Sequence, residues 1–268
     1  MNFGNLKSSL SNQINSKNKL QMLRIFNFCL VSFMTCTIMF SQEGTITFNR
    51  KYHWANIVSK MPFLSQEEKD RIKLTWGNED ENKGEDFFLT FNKEGSTYIR
   101  KEKTENYGYS WEEEDDIFIR DHTNKKTKDI RILLGKKYII EDNIPKYKWK
   151  ILNELKDIEG YVCMKAETKD TVNNVIIHAW FTDKIPVISG PEGFSGLPGM
   201  ILALDFNGDD INIVATKVDM AQEKPVVLPI PQKIKGKTIL YDEFNSRKKK
   251  HINLSIQGRR NPYWDVRY

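Results

Sequence analysis

The sequence predicts an α+β fold, mainly antiparallel β, with one curved sheet or half-barrel and a few peripheral helices. Three observations predict it. Short runs alternate apolar and polar residues along most of the chain, the two-residue period of a sheet with one packed face. Connections rich in Gly, Asn and Asp join neighbouring runs, as in consecutive hairpins. Helix signals stand out in two places, after Leu64 and after Thr238.

Residues 1–41 read as an export signal, with translation starting at Met1 or at Met22. Arg24 is followed by the mostly apolar run Ile25 to Phe40, which is short for a membrane span and interrupted by Asn27, Ser32 and Thr35. Cleavage is expected near Ser41-Gln42, which places the mature chain in the periplasm or outer envelope. An uncleaved anchor is the competing reading; a lipoprotein start at Cys36 fits less well, because more apolar residues follow it. Four of the 41 basic residues (Lys7, Lys17, Lys19 and Arg24) leave with this segment, so 37 face 36 acidic ones. A near-neutral chain gives no support to nucleic-acid binding. Cys29 and Cys36 also leave, and Cys163 alone makes no intramolecular disulfide; it reads as a small buried residue. The 227 residues that remain suffice for one domain with a substantial core, residues 42–257. No later segment has the pattern of a transmembrane helix. The aromatic and basic tail 258–268 has no core periodicity and is expected to be partly disordered.

Gly44–Tyr52 alternates as a strand. Ser65 and Glu68 form a capping box for a short helix that ends before Gly77. Strands are expected at Phe87–Asn92, Thr97–Lys101, Ile117–Arg120, Ile130–Leu134 and Lys137–Glu141, with Gly95 and Gly135 in hairpin turns. The acidic run Glu112–Asp116 lacks the glycines of a calcium loop and reads as solvated. Tyr147–Leu152, Tyr161–Thr168 and Val175–Thr182 continue the sheet. Met200–Phe206 and Ile211–Val218 form the longest hairpin, turning at Asn207-Gly208-Asp209-Asp210. A terminal helix is expected over Thr238–Ile252, with Arg247–Lys250 as a basic last turn that caps and solubilises.

The stretch Ala179 to Asp205 holds Pro186, Gly190-Pro191, Gly193, Gly196 and Pro198-Gly199 within an apolar run. Pro198-Gly199 fits the central positions of a type II turn. The hexapeptide Gly196-Leu197-Pro198-Gly199-Met200-Ile201 resembles the signature of the GLPGLI family of Bacteroidota exported proteins, with Met200 for a Leu. Trp149, Ile158–Ala166, Ala179–Thr182, Ile185-Pro186 and Gly190-Pro191 with Phe194 extend the resemblance from Gln42 to near Ile252. That family has no established biochemical function, so the resemblance implies a compartment and no chemistry; the hexapeptide is expected to be structural. Family genes near outer-membrane receptor genes point toward an envelope partner. The curved sheet is similar to the bowl of periplasmic lipoprotein carriers, an analogy of fold alone.

Catalytic motifs are weak. His53, His122, His178 and His251 have no metal-binding spacing, and Gly193-Phe194-Ser195-Gly196 lacks the nucleophile-elbow pattern. No catalytic residue, metal ligand or cofactor is assigned, and the balance leans away from an enzyme. The leading expectation is an exported, non-catalytic binding or accessory protein for a lipid, a hydrophobic ligand or an outer-membrane protein, with Trp180, Phe181 and Phe194 as candidate ligand contacts. The alternative is a carboxylate-dependent hydrolase of envelope peptide or glycan, with Asp183 and Glu192 as candidate acids. Glycoside hydrolysis needs two carboxylates about 5–9.5 Å apart in a cleft.

Overall fold

The computed structural model describes residues 43–76, 84–101, 116–220, 226–231 and 234–268. The signal expected over 1–41 and the acidic residues Glu112–Asp115 lie outside the described residues. Among the described residues there are twelve strands, of which the first six are β1 (Gly44–Tyr52), β2 (Glu85–Phe91), β3 (Gly95–Arg100), β4 (Phe118–Asp121), β5 (Lys126–Leu133) and β6 (Lys136–Asn143). Then come β7 (Lys150–Ile158), β8 (Tyr161–Asp170), β9 (Val175–Thr182), β10 (Met200–Phe206), β11 (Ile211–Met220) and β12 (Lys237–Ile239). They form one curved open sheet in the order β12-β6-β5-β4-β3-β2-β1-β11-β10-β9-β8-β7. The pairings are antiparallel, apart from β12, which runs parallel to β6.

Register sorts the side chains onto two faces. Ile46, Phe48 and Arg50 of β1 lie beside Leu89, Phe87 and Glu85 of β2, and Phe87 and Leu89 beside Arg100 and Tyr98 of β3. This inner face continues through Phe118 and Arg120, and on the other side through Ile213, Leu204 and Ala179. Phe48, Phe87, Tyr98 and Phe181 are fully buried; each contributes on the order of 2 kcal/mol of apolar burial. The opposite face carries Thr47, Asn49, Lys51, Asn212, Asp205 and His178.

Three helices join the sheet: α1 (Trp54–Ser59), α2 (Gln66–Trp76) and α3 (Tyr241–Gln257). The capping box at α2 forms, with the Ser65 N–H donating to Glu68 Oε2 at 2.7 Å and the Glu68 N–H to Ser65 Oγ at 3.3 Å. No residue of α2 is buried. α3 instead buries Phe244, Lys248, Ile252 and Ser255, which share one helical face. Phe244 meets Tyr138 edge-on at 6.0 Å and packs with Ile140 and Ile239, so α3 covers the inner face near β6 and β12.

Several elements differ from the sequence reading. Thr238 lies in β12 because Lys237–Ile239 completes the open edge against Tyr138–Ile140. α3 therefore starts and ends later, and Arg247–Lys250 sits mid-helix with no basic residue in the last turn. The third strand run begins at Lys150, because Trp149 turns its indole N–H to Ser195 O at 2.9 Å. Helix α1 has no sequence signal among those read. At Pro198-Gly199 the Gly199 N–H donates to Leu197 O and the Met200 N–H to Ile185 O, so the turn closes over three residues as a γ-turn and is not type II. In the tail 258–268, Tyr268 donates its hydroxyl to Asp210 Oδ2 at 2.6 Å.

Candidate functional site

The β9–β10 connection, 183–199, folds back over the inner face. Ser189 meets Ser96 of β3 through their hydroxyls at 2.7 Å, and Gly193 O accepts two N–H bonds from Arg120 of β4, both 3.1 Å. Arg120 is buried against Asp129, which also accepts from Thr127 and Tyr241. Burial, then the Asp129 charge, raises the Tyr241 phenol well above its ordinary range. This cluster pins the loop to the sheet.

Glu192 stands at the loop's apex with φ 55°, a left-handed backbone rare for a residue with a Cβ. Its carboxylate accepts from Arg267 Nε at 2.8 Å and Nη2 at 2.5 Å, and from Arg50 Nη1 at 3.4 Å. Arg50 also pairs with Glu85 at 2.9 Å, and Glu85 with Arg100. Asp116 accepts from Arg131 Nε at 2.5 Å and from the Ile132 N–H at 2.7 Å, and lies 4.0 Å from Arg267 Nε. Aromatic faces carry these arginines: Arg50 lies 4.4 Å from the Phe87 ring centre, and Arg131 4.8 Å from that of Phe118. Because Asp116 Oδ2 and Glu192 Oε2 both lie against Arg267 Nε, they cannot be further apart than those two distances end to end. That limit falls inside the span of about 5–9.5 Å used by paired-carboxylate glycosidases.

Two cavities flank this network. One, about 450 Å³, is lined by Arg50, Glu85, Arg100, Asp116 and Arg267 and by four aromatic residues, Tyr263 and three that stack. These are Tyr52, Trp54 and Trp264, stacked in parallel at 5.2 and 5.1 Å, with Trp264 62 % exposed. A stacked, half-open aromatic edge beside carboxylates suits the apolar face and hydroxyls of a sugar. The other cavity, about 570 Å³, lies under α3 and is lined by Tyr147, Phe194, Glu192, Arg131 and Lys248. Burial pushes the Lys248 amine from 10.5 down to about 8.

The structure separates the residues proposed from sequence. Phe194 lines the second cavity, 4.6 Å from Tyr147. Phe181 is fully buried in the core, and Trp180 is buried as well, on the other face under Lys156 and Lys165. Of the candidate acids, Glu192 is in the network and Asp183 is exposed and lines neither cavity. Of the hexapeptide, Leu197, Met200 and Ile201 are buried, and a Cβ on Gly199 would meet Thr182 O at 2.0 Å. His53 bonds Asn212 and His178 faces Glu167, on the outer face. Cys163 is buried, which pushes its thiol up to about 11. Among the described residues no three His, Cys, Asp or Glu side chains gather to hold a metal. Asp116, Arg267 and Lys248 carry no recognisable motif, and none of them lies on a strand whose alternation could have marked it.

The family described as N-glycanase peptide, N-terminal domain, matches residues 74–242, which run from the end of α2 into α3. The chain belongs to this N-terminal-domain family. No curated protein matches it. It is similar to two solved structures of PNGF-II, in a C2 and a P2₁ space group, at 16 % and 17 % identity and a TM-score of 0.48 for each. The alignments cover 78 % of this chain and 33 % and 34 % of those chains, so the chain spans about a third of their length. The N-glycanase match corrects the GLPGLI assignment. Gly196–Ile201 is a six-residue solution to a backbone problem, a close approach to Thr182 at Gly199, whereas the N-glycanase match extends over most of the sheet. It also overturns the reading as a non-catalytic binding or accessory protein for a hydrophobic ligand or outer-membrane partner. That reading rested in part on missing motifs, and the acids here come from the segment before β4 and the β9–β10 loop, far apart in the chain.

Proposed function

We propose that this protein is a glycan-cleaving hydrolase that acts on N-glycosylated peptide, with its site on the inner face around Asp116 and Glu192. The observation that carries the reading is the N-glycanase family match over residues 74–242, which include both carboxylates. Arg267, which lies against both acids and lines both cavities, keeps the two carboxylates near one another, as two-carboxylate hydrolysis needs. One carboxylate takes a proton from the water that attacks the sugar's C1, and the other, in its protonated form, gives its proton to the leaving atom as the bond from C1 to that atom breaks. The arginines hold both groups in place, so little reorganisation is needed as charge forms. The Tyr52–Trp54–Trp264 stack supplies a sugar platform at the mouth of the adjoining cavity. Export, expected from residues 1–41, would bring the enzyme to glycoproteins outside the cytoplasm.

The test is incubation of the purified chain with an N-glycosylated peptide, with released glycan followed by mass spectrometry. Release is expected, and Glu192→Gln or Asp116→Asn should slow it by a factor of about 100 or more. Trp264→Ala should raise KM with kcat largely kept, because it removes binding area and no reacting group. Absence of release, or release undiminished in folded Glu192→Gln, overturns the reading.

A further inference from the structure

The geometry points to the cavity under α3 as a subsite for an acidic sugar, whose negatively charged substituent pairs with Lys248. Lys248 is 6 % exposed and lines the cavity, where its amine keeps access to the open space; among the described residues no hydrogen bond or ion pair holds it. An ammonium confined at a cavity wall without a protein partner is stabilised by an anion that enters and pairs with it. Six cationic residues line this cavity: Arg131, Lys146, Lys148, Lys169, Lys248 and Arg267. Two acids oppose them, and both are engaged. Glu192 is held by Arg50 and Arg267, while Asp170 accepts from the Val172 and Asn173 N–H groups and from Asn173 Nδ2. Lys146, Lys148 and Lys169 are exposed at the rim, where they draw an anion inward.

The remaining wall suits a sugar ring. Tyr147 and Phe194 face each other at 4.6 Å, offering an apolar surface. Asn173, on the same wall, has a buried Oδ1 with no donor among the described residues, a place for a hydroxyl. About 570 Å³ lies within the range of ~300–1,000 Å³ of small-molecule sites. The sugar half of this inference rests on the glycan reading above; the anion half does not.

The experiment is calorimetric titration of the intact chain with glucuronate, glucose 6-sulfate and glucose. Both acidic sugars should bind at least tenfold more tightly than glucose, and the advantage should vanish in Lys248→Met and survive in Lys248→Arg. The wild type gives a second reading without substitution. Raising the pH from 7 to 9.5 should erase the preference as the amine loses its proton, with Tyr147 on the same wall pushed up to about 12 and so unchanged. Arg131, Asp116, Asp170 and Glu192 are the other charges that act on this amine. Equal affinity for glucuronate and glucose, or a preference unaltered in folded Lys248→Met, overturns the inference. Preference without glycan release removes the hydrolase reading and leaves the anion site standing. Release without preference does the reverse.

Discussion

Lys248 sits where a lysine costs the fold most, on the buried face of α3 over a cavity. Burial lowers its pKa from 10.5 to about 8, against the pull of Asp170, Asp116 and Glu192. Below pH 8 the amine is charged in folded and unfolded chains alike, and the full cost of burying the charge is present. Between 8 and 10.5 the unfolded chain binds the extra proton, so stability rises with pH across that window, by about 3 kcal/mol. Denaturant unfolding at pH 7.5 and 10 should show the rise in the wild type and its loss in Lys248→Met, which isolates Lys248 from the phenols of Tyr147 and Tyr263. Glycines give a second residue-scale prediction. Gly199 has φ 137° and would place a Cβ 2.0 Å from Thr182 O, while Gly208 at φ 63° opens to empty space. Gly199→Val should cost at least ~2 kcal/mol, a fall in Tm of roughly 4–8 °C. Gly208→Asn should leave Tm nearly unchanged, since Asn tolerates the left-handed region. The need for Gly199 was legible in sequence; Lys248 was read as part of a solvated basic patch, because one helical face shows only once the helix has its neighbours.

Among the elements, regular alternation identified β1, β9 and β10 to the residue, and a capping box placed α2. β12 escaped because three residues, Lys237–Ile239, hold too few periods and pair in parallel with β6, far along the chain. The candidate acids show the same division. Glu192 lies in a loop marked by Gly and Pro, but its partners Arg50, Arg267 and, through Arg267, Asp116 come from β1, the tail and the segment before β4. Periodicity carries no information on which distant strands a loop will cross. Helix α2 allows a test of local against tertiary stability. Ser65→Ala removes the cap oxygen and should destabilise the first turn by about 1 kcal/mol. Since α2 buries no residue, that loss should appear as faster amide exchange in α2 with the global Tm unmoved. A lower global Tm would mean that α2 supports the sheet.

At the scale of the molecule, an open curved sheet leaves its inner face to be covered by other parts of the chain. The β9–β10 loop, α3 and residues 258–268 cover it, and the tail does so by single anchors. Tyr268 bonds Asp210 and Asn207, Pro262 and Val266 are buried, Trp264 completes the aromatic stack, and Arg267 clamps Glu192. A chain ending at Gly258 would lose all of these while keeping every strand and helix. Tm should fall by roughly 5–10 °C, since a few kcal/mol of burial and hydrogen bonding go with the tail. Glycan release should fall further than Trp264→Ala alone reduces it, because the sugar platform and the second arginine on Glu192 disappear together. Arg267→Ala in the full chain separates the two contributions: it spares the platform, so KM should hold while kcat drops. If the truncated chain melts and cleaves like the whole one, the tail is a passenger, and the Asp116–Glu192 pair needs no clamp from it.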